Sequence, residues 1–235
     1  MEGQGDILVK SARGQPPGFP PRVTIAITIV CTIVFTIQAA LGEAAAWDLL
    51  MGFSMIPAVV TGERALPPAI PSFGAGFSLL SAMFLHADFW HLTGNMMLLW
   101  LLGDRVERVM GHLRFIVFYL LCGLGGAAAQ VLSDPGSLDP VVGASGAISG
   151  VLAAAVMREP RARLRLPLGH RRVVLPVPLL AAMVGWLGIE LAEAFSGNSE
   201  GTVAWLSHLG GFVAGMILVF PLSRRAEALP PTDAD

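Results

Sequence analysis

Charged residues are scarce in this sequence. Aspartate, glutamate, lysine and arginine together make up 14% of its 235 residues, whereas a soluble globular domain has about 25%. Hydrophobic residues make up 54%, so the composition excludes an ordinary soluble domain and predicts a chain embedded in the lipid bilayer. The formal net charge of −2 indicates no particular partner, and we expect none that is a nucleic acid.

Cysteines and metal-binding motifs are scarce as well. The two cysteines, Cys31 and Cys122, both lie within apolar runs, which excludes a disulfide framework and favours roles as small hydrophobic residues. His86, Asp88 and His91 are of types that bind zinc, but their spacing is not H-E-x-x-H and no further ligand is nearby in sequence. We therefore expect no metal and no other cofactor.

Six apolar segments approach the length of about 20 residues that a transmembrane helix needs. They cover residues 23–41, 89–103, 115–132, 141–157, 173–191 and 202–222, and the second and fourth are short. The sequence therefore predicts an all-α polytopic membrane protein whose six-helix bundle occupies residues 23–222. We expect a polar N-terminal segment at 1–22 without a cleavable signal, and a C-terminal tail at 223–235. The long connection 42–88 is expected to lie partly in the membrane interface.

The basic residues indicate the orientation. Lysine and arginine favour the cytoplasmic ends of transmembrane helices, and in the six-segment topology all of them except Arg64 lie on one side. Both termini are therefore expected in the cytoplasm, with the long connection outside. We expect a multi-pass protein of the plasma (inner) membrane.

Residues 141–150 contain the candidate nucleophile. Ser145 lies among glycines and alanines, which remove side-chain bulk on both sides of its hydroxyl, so a histidine ring or a bound peptide can approach closely. Gly146 and Gly150 also form a G-x-x-x-G pair, which favours close helix packing. Taken alone, the stretch is therefore compatible with a helix interface as well as with catalysis.

A histidine elsewhere favours catalysis. A serine hydroxyl is a weak nucleophile until a base takes its proton, and His208 is the only base at the matching depth of the sixth segment. Gly211 and Gly215 follow it, as Gly146 and Gly150 follow Ser145, so the two helices are expected to pack with their backbones close together. The serine and the histidine would then meet.

Donors for an oxyanion are also available. His91 and Asn95 lie four residues apart, on one face of the second predicted helix. They are expected to supply donors for developing negative charge, alongside the backbone near Gly143 at the start of the fourth segment. Hydrogen bonding between helices is the simpler explanation for each residue alone, but polar residues that converge inside a membrane tend to be functional. No aspartate or glutamate reaches the expected depth of His208, which predicts a dyad and not a triad.

Several motifs together resemble the rhomboid family of intramembrane serine proteases. They are Gly-Ala-Ser-Gly-Ala at 143–147, His-Leu-Thr-Gly-Asn at 91–95 with His86 five residues earlier, Gly-Asp-Arg-Val-Glu at 103–107, and Ser-His-Leu-Gly-Gly-Phe-Val-Ala-Gly at 207–215. The resemblance covers about residues 84–220 and implies a six-helix core whose short fourth helix carries the nucleophile.

The resemblance also implies the reaction. It implies a catalytic dyad of Ser145 and His208 and an oxyanion site that involves His91 and Asn95. Members of the family cleave transmembrane helices of other proteins near their outer ends, often beside small residues, without a metal or other cofactor. The expected partners are therefore transmembrane protein substrates and the lipid bilayer.

Two features depart from the family pattern. Some members carry a Trp-Arg pair in the first loop, whereas no tryptophan adjoins Arg64. Many members place an aromatic residue four positions after the nucleophile, where this chain has Ser149. Ser149 is expected to lie one turn from Ser145 and to support the ring of His208 in place of that aromatic residue.

Two other functions remain open from the residues. A small transporter is compatible with polar residues at helix starts, although the predicted helices lack acidic residues in their interiors except Glu190 near one end. A rhomboid-like protein without proteolytic activity is the other alternative. It would normally lack the serine or the histidine, and both are present here.

Overall fold

The computed structural model describes residues 20–168, 171–181, 183–186, 188 and 205–223. Its helices are α1 (Arg22–Ala40), α2 (Glu43–Phe53), α3 (Pro57–Val60), α4 (Ala75–Ser81), α5 (Phe89–Met110), α6 (His112–Ser133), α7 (Ser145–Arg158) and α8 (Trp205–Leu222). A 3₁₀ turn, Ala82–Phe84, follows α4, and two antiparallel strands, β1 (Arg163–Leu168) and β2 (Arg171–Pro178), follow α7.

Three of the described helices are long and apolar enough to cross a membrane: α1, α6 and α8. They correspond to the first, third and sixth apolar segments of the sequence, which shows that long uncharged runs predict these helices well. The fold is therefore mainly helical with several apolar helices, while the count of six spans stays a prediction.

The second segment is longer than the sequence predicts. The apolar run ends before Asp104, but α5 continues to Met110 as a helix of 22 residues. The continuation is stabilised by Glu107, which is fully buried and accepts hydrogen bonds from the backbone amides of Val23 and Thr24 at 3.0 and 2.9 Å. The prediction that this helix is short was wrong because a charged residue with partners can remain inside a helical bundle.

The fourth segment begins later than predicted. Residues 141–144 are not helical, and α7 starts at Ser145. Val141 pairs in an antiparallel bridge with Met55, and Gly143 has a φ of +120°, a conformation that ends the extended backbone and favours glycine. The structure thus has a helix of 14 residues with Ser145 as its first residue.

The prediction for the fifth segment was wrong in its first part. A helix was predicted over 173–191, but residues 173–178 belong to β2. Apolar runs alone do not distinguish a strand from a helix, and this run contains two prolines and three β-branched valines, which disfavour a helix. Helical residues begin at 179 and continue at 183–186 and 188, while the remaining positions of this segment lie outside the described residues.

Glycines allow α7 and α8 to pack with their backbones in contact. A side chain at Gly211 would overlap the carbonyl oxygen of Gly146, and one at Gly215 would overlap the backbone of Gly150. A Cβ at Gly150 would lie 2.9 Å from the carbonyl oxygen of Gly211. The two G-x-x-x-G pairs therefore face each other along one seam.

The helix α6 forms the other wall of this packing. It contacts both α7 and α8 extensively, and its Phe115, Phe118 and Tyr119 are among the largest fully buried side chains. Gly126 of α6 lies against Ser207 of α8, where a Cβ would be 2.8 Å from the serine hydroxyl. The three helices form a compact unit that fixes the start of α7 against the first turn of α8.

Candidate active site

The hydroxyl of Ser145 lies beside the ring of His208. The distance between Ser145 Oγ and His208 Nε2 is 2.8 Å, which is hydrogen-bonding distance. Both residues are half-buried, Ser145 at the start of α7 and His208 in the first turn described of α8. With the proton of the ring on Nδ1, Nε2 can accept the serine proton, which is the arrangement that activates a serine nucleophile.

The backbone before Ser145 is shaped by Gly143. Its amide donates to the carbonyl oxygen of Ala82 at 2.8 Å, so the segment is tied to the 3₁₀ turn of the long connection. The positive φ of Gly143 then directs the chain into α7. As a result Ser145 stands at the N-terminus of a helix, where amides without helical partners and the helix dipole favour negative charge.

His91 lies against this glycine. It is in the first turn of α5, whose N-cap is Asp88: the Asp88 carboxylate accepts from the amides of Trp90 and His91 at 2.7 and 2.9 Å. The hydrogen bond from the His91 amide lowers the pKa of the Asp88 carboxyl. A Cβ at Gly143 would lie 2.7 Å from His91 Nε2, so only glycine leaves room for the ring beside the nucleophile.

Asn95 lies one turn further along α5. It is buried, with 5% of its surface exposed, and within the described part of the chain its side-chain NH₂ group has no hydrogen-bond partner. Buried polar groups normally have partners, and an unpaired donor is therefore unusual. The group is available to a ligand oxygen that the free protein does not contain.

His86 is a further buried polar residue, which the sequence indicated as part of an incomplete metal motif and of the family resemblance. Its ring is fully buried, lies with its centroid 5.2 Å from that of His91, and among the described residues neither ring nitrogen has a partner. Burial, followed by the neighbouring His91, lowers the pKa of His86 from 6.5 to about 4. Gln38 of α1 fixes the backbone of His86 through two long hydrogen bonds of 3.3 and 3.4 Å.

The residue that packs on His208 is not the predicted one. Ser149 was expected to support the ring, but its hydroxyl donates to the backbone carbonyl oxygen of Ser145 at 2.7 Å, as serines inside helices commonly do. The ring of Trp186 lies against His208 instead, with a centroid distance of 5.9 Å and an interplanar angle of 42°. No sequence pattern indicated this contact, because the two residues lie on different helical segments.

No metal centre is found in the described part of the chain, where no group of three or more His, Cys, Asp or Glu side chains is arranged to hold an ion. His86, Asp88 and His91 lie near one another, but the Asp88 carboxylate is engaged by the α5 amides. The groups that the structure brings together at the site are a serine hydroxyl, an adjacent imidazole and the ring of His91.

Comparisons with known proteins give the family. The chain is 28% identical over 198 residues to RHOMBOID-like protein 5 of Arabidopsis thaliana, and the aligned region covers 79% of this chain and 60% of that protein. It is 32% identical over 145 residues to Rhomboid protease GluP of Bacillus subtilis, covering 60% of this chain and 25% of that protein. Rhomboid protein 1, mitochondrial, of Saccharomyces cerevisiae is 28% identical over 154 residues, covering 64% and 43%.

The chain thus spans between a quarter and three fifths of the length of these relatives. A family model for the Rhomboid domain matches residues 74–225, which include α5 to α8 and both members of the Ser145–His208 pair. The match covers more than half of the chain, and the protein therefore belongs to the rhomboid family.

Proposed function

We propose that this protein is an intramembrane serine endopeptidase that hydrolyses peptide bonds in or near the outer ends of transmembrane segments. The observation that carries the proposal is the 2.8 Å contact between Ser145 Oγ and His208 Nε2. Membership of a family that includes a relative named as a protease, GluP, supports the same reaction. The catalytic group is proposed to be a dyad.

The proposed reaction has two steps. His208 Nε2 takes the proton of Ser145 as Oγ attacks the substrate carbonyl, and it then gives that proton to the leaving amine, so that an acyl-enzyme and a free amino terminus result. A water molecule, deprotonated by the same nitrogen, attacks the ester in the second step. The carboxylic acid is released and the serine hydroxyl is restored.

The oxyanion is proposed to bind between α5 and the start of α7. His91 Nε2 faces Gly143 beside the nucleophile, and the unpaired NH₂ group of Asn95 is buried one turn away. Backbone amides at the start of α7 lie close to the same place. Fixed donors of this kind stabilise charge that appears only in the transition state.

Small side chains beside the cleaved bond are proposed to be preferred. A cavity lies at the start of α7, and its lining combines glycines and alanines, among them Gly143, Gly146 and Ala147, with Ser207 and larger apolar side chains such as Met55 and Leu79. A bulky residue next to the scissile bond would have to displace packed backbone there. This supports substrates with glycine, alanine or serine at that point.

The membrane arrangement is also proposed. Residues 23–222 would form the membrane domain of six helices, with both termini in the cytoplasm because the basic residues cluster on that side. The apolar helices α1, α6 and α8 support the embedding in a bilayer.

Cleavage in vesicles tests the proposed function. The purified protein is reconstituted with a single-span substrate that carries small residues near one end of its helix, and the products are located by mass spectrometry. We expect cleavage by the wild type and by Ser133→Ala, a matched change at an exposed serine of α6, and none by Ser145→Ala or His208→Ala. Cleavage that persists in Ser145→Ala would refute the proposal.

A further inference from the structure

The indole ring of Trp186 lies over one turn of α8. Its centroid is 5.9 Å from that of His208 and 6.5 Å from that of Phe212, with interplanar angles of 42° and 35°. His208 and Phe212 are four residues apart and therefore neighbours on one helix face. Trp186 is half-buried and Phe212 is buried, so the tryptophan bridges the catalytic candidate and an apolar anchor.

A histidine that acts as a base needs a fixed ring plane. The hydrogen bond between Ser145 Oγ and His208 Nε2 fixes the direction of one ring nitrogen. The hydroxyl of Ser149 donates to the carbonyl oxygen of Ser145 at 2.7 Å and therefore not to the ring. The ring of Trp186 packs against the imidazole at an interplanar angle of 42° and limits its movement.

The same contact favours the charged form of His208. When the serine proton moves to Nε2, the ring becomes an imidazolium cation. A cation within about 6 Å of the face of a tryptophan is stabilised by the quadrupole of the aromatic ring, and the centroid distance here is 5.9 Å. We infer that Trp186 is a positioning residue that orients His208 and stabilises its cationic form during catalysis, an inference that rests on the proposed function.

Two substitutions separate this role from simple packing. Trp186→Phe keeps an aromatic face, whereas Trp186→Leu fills much of the same space without one. If the aromatic face acts, the labelling of Ser145 by a fluorophosphonate should be within about 2-fold of the wild type in Trp186→Phe and about 3- to 10-fold slower in Trp186→Leu. A purely structural role would make the two variants similar after allowance for their stability.

The dependence of the labelling rate on reagent concentration provides a second test of the role of Trp186. In Trp186→Leu the maximal labelling rate constant should fall, while the reagent concentration at half-saturation changes little, because the histidine acts in the chemical step and not in binding. The same change at an exposed tryptophan, Trp100→Leu, serves as the control and should leave both constants unchanged; Trp100 is 49% exposed on α5. Melting temperatures of all variants are measured in the same detergent.

The outcomes separate the two proposals. The role of Trp186 would be overturned by equal labelling rates in Trp186→Leu and Trp186→Phe. It would also be overturned if the loss of labelling rate in Trp186→Leu only followed the fall in melting temperature. In both cases, labelling of the wild type at Ser145 would still support the proposed function. A wild type that does not react at Ser145 would overturn both.

Discussion

At the scale of residues, the site depends on which polar groups have partners. Ser145 and His208 are paired at 2.8 Å, whereas the NH₂ group of Asn95 and both ring nitrogens of His86 have none among the described residues. Unpaired buried polar groups reduce stability, so each of these side chains is a natural target for substitution. Substitution of Asn95 and of His86 tests two such groups.

The first concerns Asn95. If its NH₂ group donates to the oxyanion, Asn95→Ala should lower kcat by up to about 10²–10³-fold with little change in KM. Because the group is unpaired in the free protein, its removal should not lower the melting temperature. A normal kcat with a lowered melting temperature would indicate a structural role; His91→Ala, measured beside it, tests the second proposed donor in the same way.

The second concerns His86. Its pKa is lowered to about 4 in the folded protein, against 6.5 when unfolded. The unfolded chain therefore binds the proton more readily, and stability from this group is present above pH 6.5 and is lost as the pH falls to 4. The loss should amount to about 3 kcal/mol. His86→Phe, which keeps a ring but cannot titrate, should unfold with that much less pH dependence over this window; parallel curves would contradict the prediction.

Short sequence motifs indicated the backbone packing around the site, whereas they did not indicate which side chains meet across helices. Glycines around Ser145 and after His208 indicated close helices, and the two helices do pack along those glycines. The catalytic roles themselves stay predictions. The contact between Trp186 and His208 was not predicted. Ser149 was assigned wrongly, because a serine hydroxyl within a helix can donate to a backbone carbonyl oxygen of the same helix.

At the scale of elements, hydrophobic length predicted the uninterrupted helices and misjudged the interrupted ones. The charged residues after Gly103 suggested that the second helix ends there, but Glu107 is buried and α5 extends to Met110. The apolar run at 173–178 was predicted to be helical, but it belongs to β2. Hydrophobic length alone resolves neither case, since the first depends on a distant partner and the second on the backbone preferences of valine and proline.

The glycine seam provides a prediction at this scale. Gly211→Ala would place a methyl group on the carbonyl oxygen of Gly146, so α7 and α8 would have to separate. We expect a loss of about 1–3 kcal/mol in the free energy of unfolding, together with slower catalysis, because the separation also moves His208 away from Ser145. Gly76→Ala is the control, since nothing lies within 4 Å of a Cβ at that position. Equal stability of both variants would argue against the seam.

At the scale of the whole molecule, the unit of α6, α7 and α8 is joined to α1 through α5. The carboxylate of Glu107 accepts hydrogen bonds from two amides at the start of α1 and from the hydroxyl of Thr24 at 2.8 Å, and it also contacts His112 at the start of α6. Three elements therefore meet at one buried side chain, at the opposite end of α5 from His91. This junction holds the bundle together at a distance from the chemistry.

Glu107→Gln tests the junction. The amide keeps one acceptor oxygen but brings a donor towards backbone amides, so we expect a loss of about 1–3 kcal/mol in unfolding free energy. The reactivity of the protein that remains folded should be nearly normal, because the dyad lies at the other end of α5. Glu43→Gln, at an exposed position of α2, should have little effect on stability. A Glu107→Gln protein with normal stability would show that the junction is dispensable.

The central claim is that Ser145 is a nucleophile activated by His208. The most direct measurement is labelling of the purified protein in detergent with a fluorophosphonate, followed by mass spectrometry of the modified peptide. We predict that the wild type and Ser149→Ala are labelled on Ser145, while Ser145→Ala and His208→Ala are not labelled above background. Equal labelling of the wild type, Ser145→Ala and His208→Ala would contradict the claim.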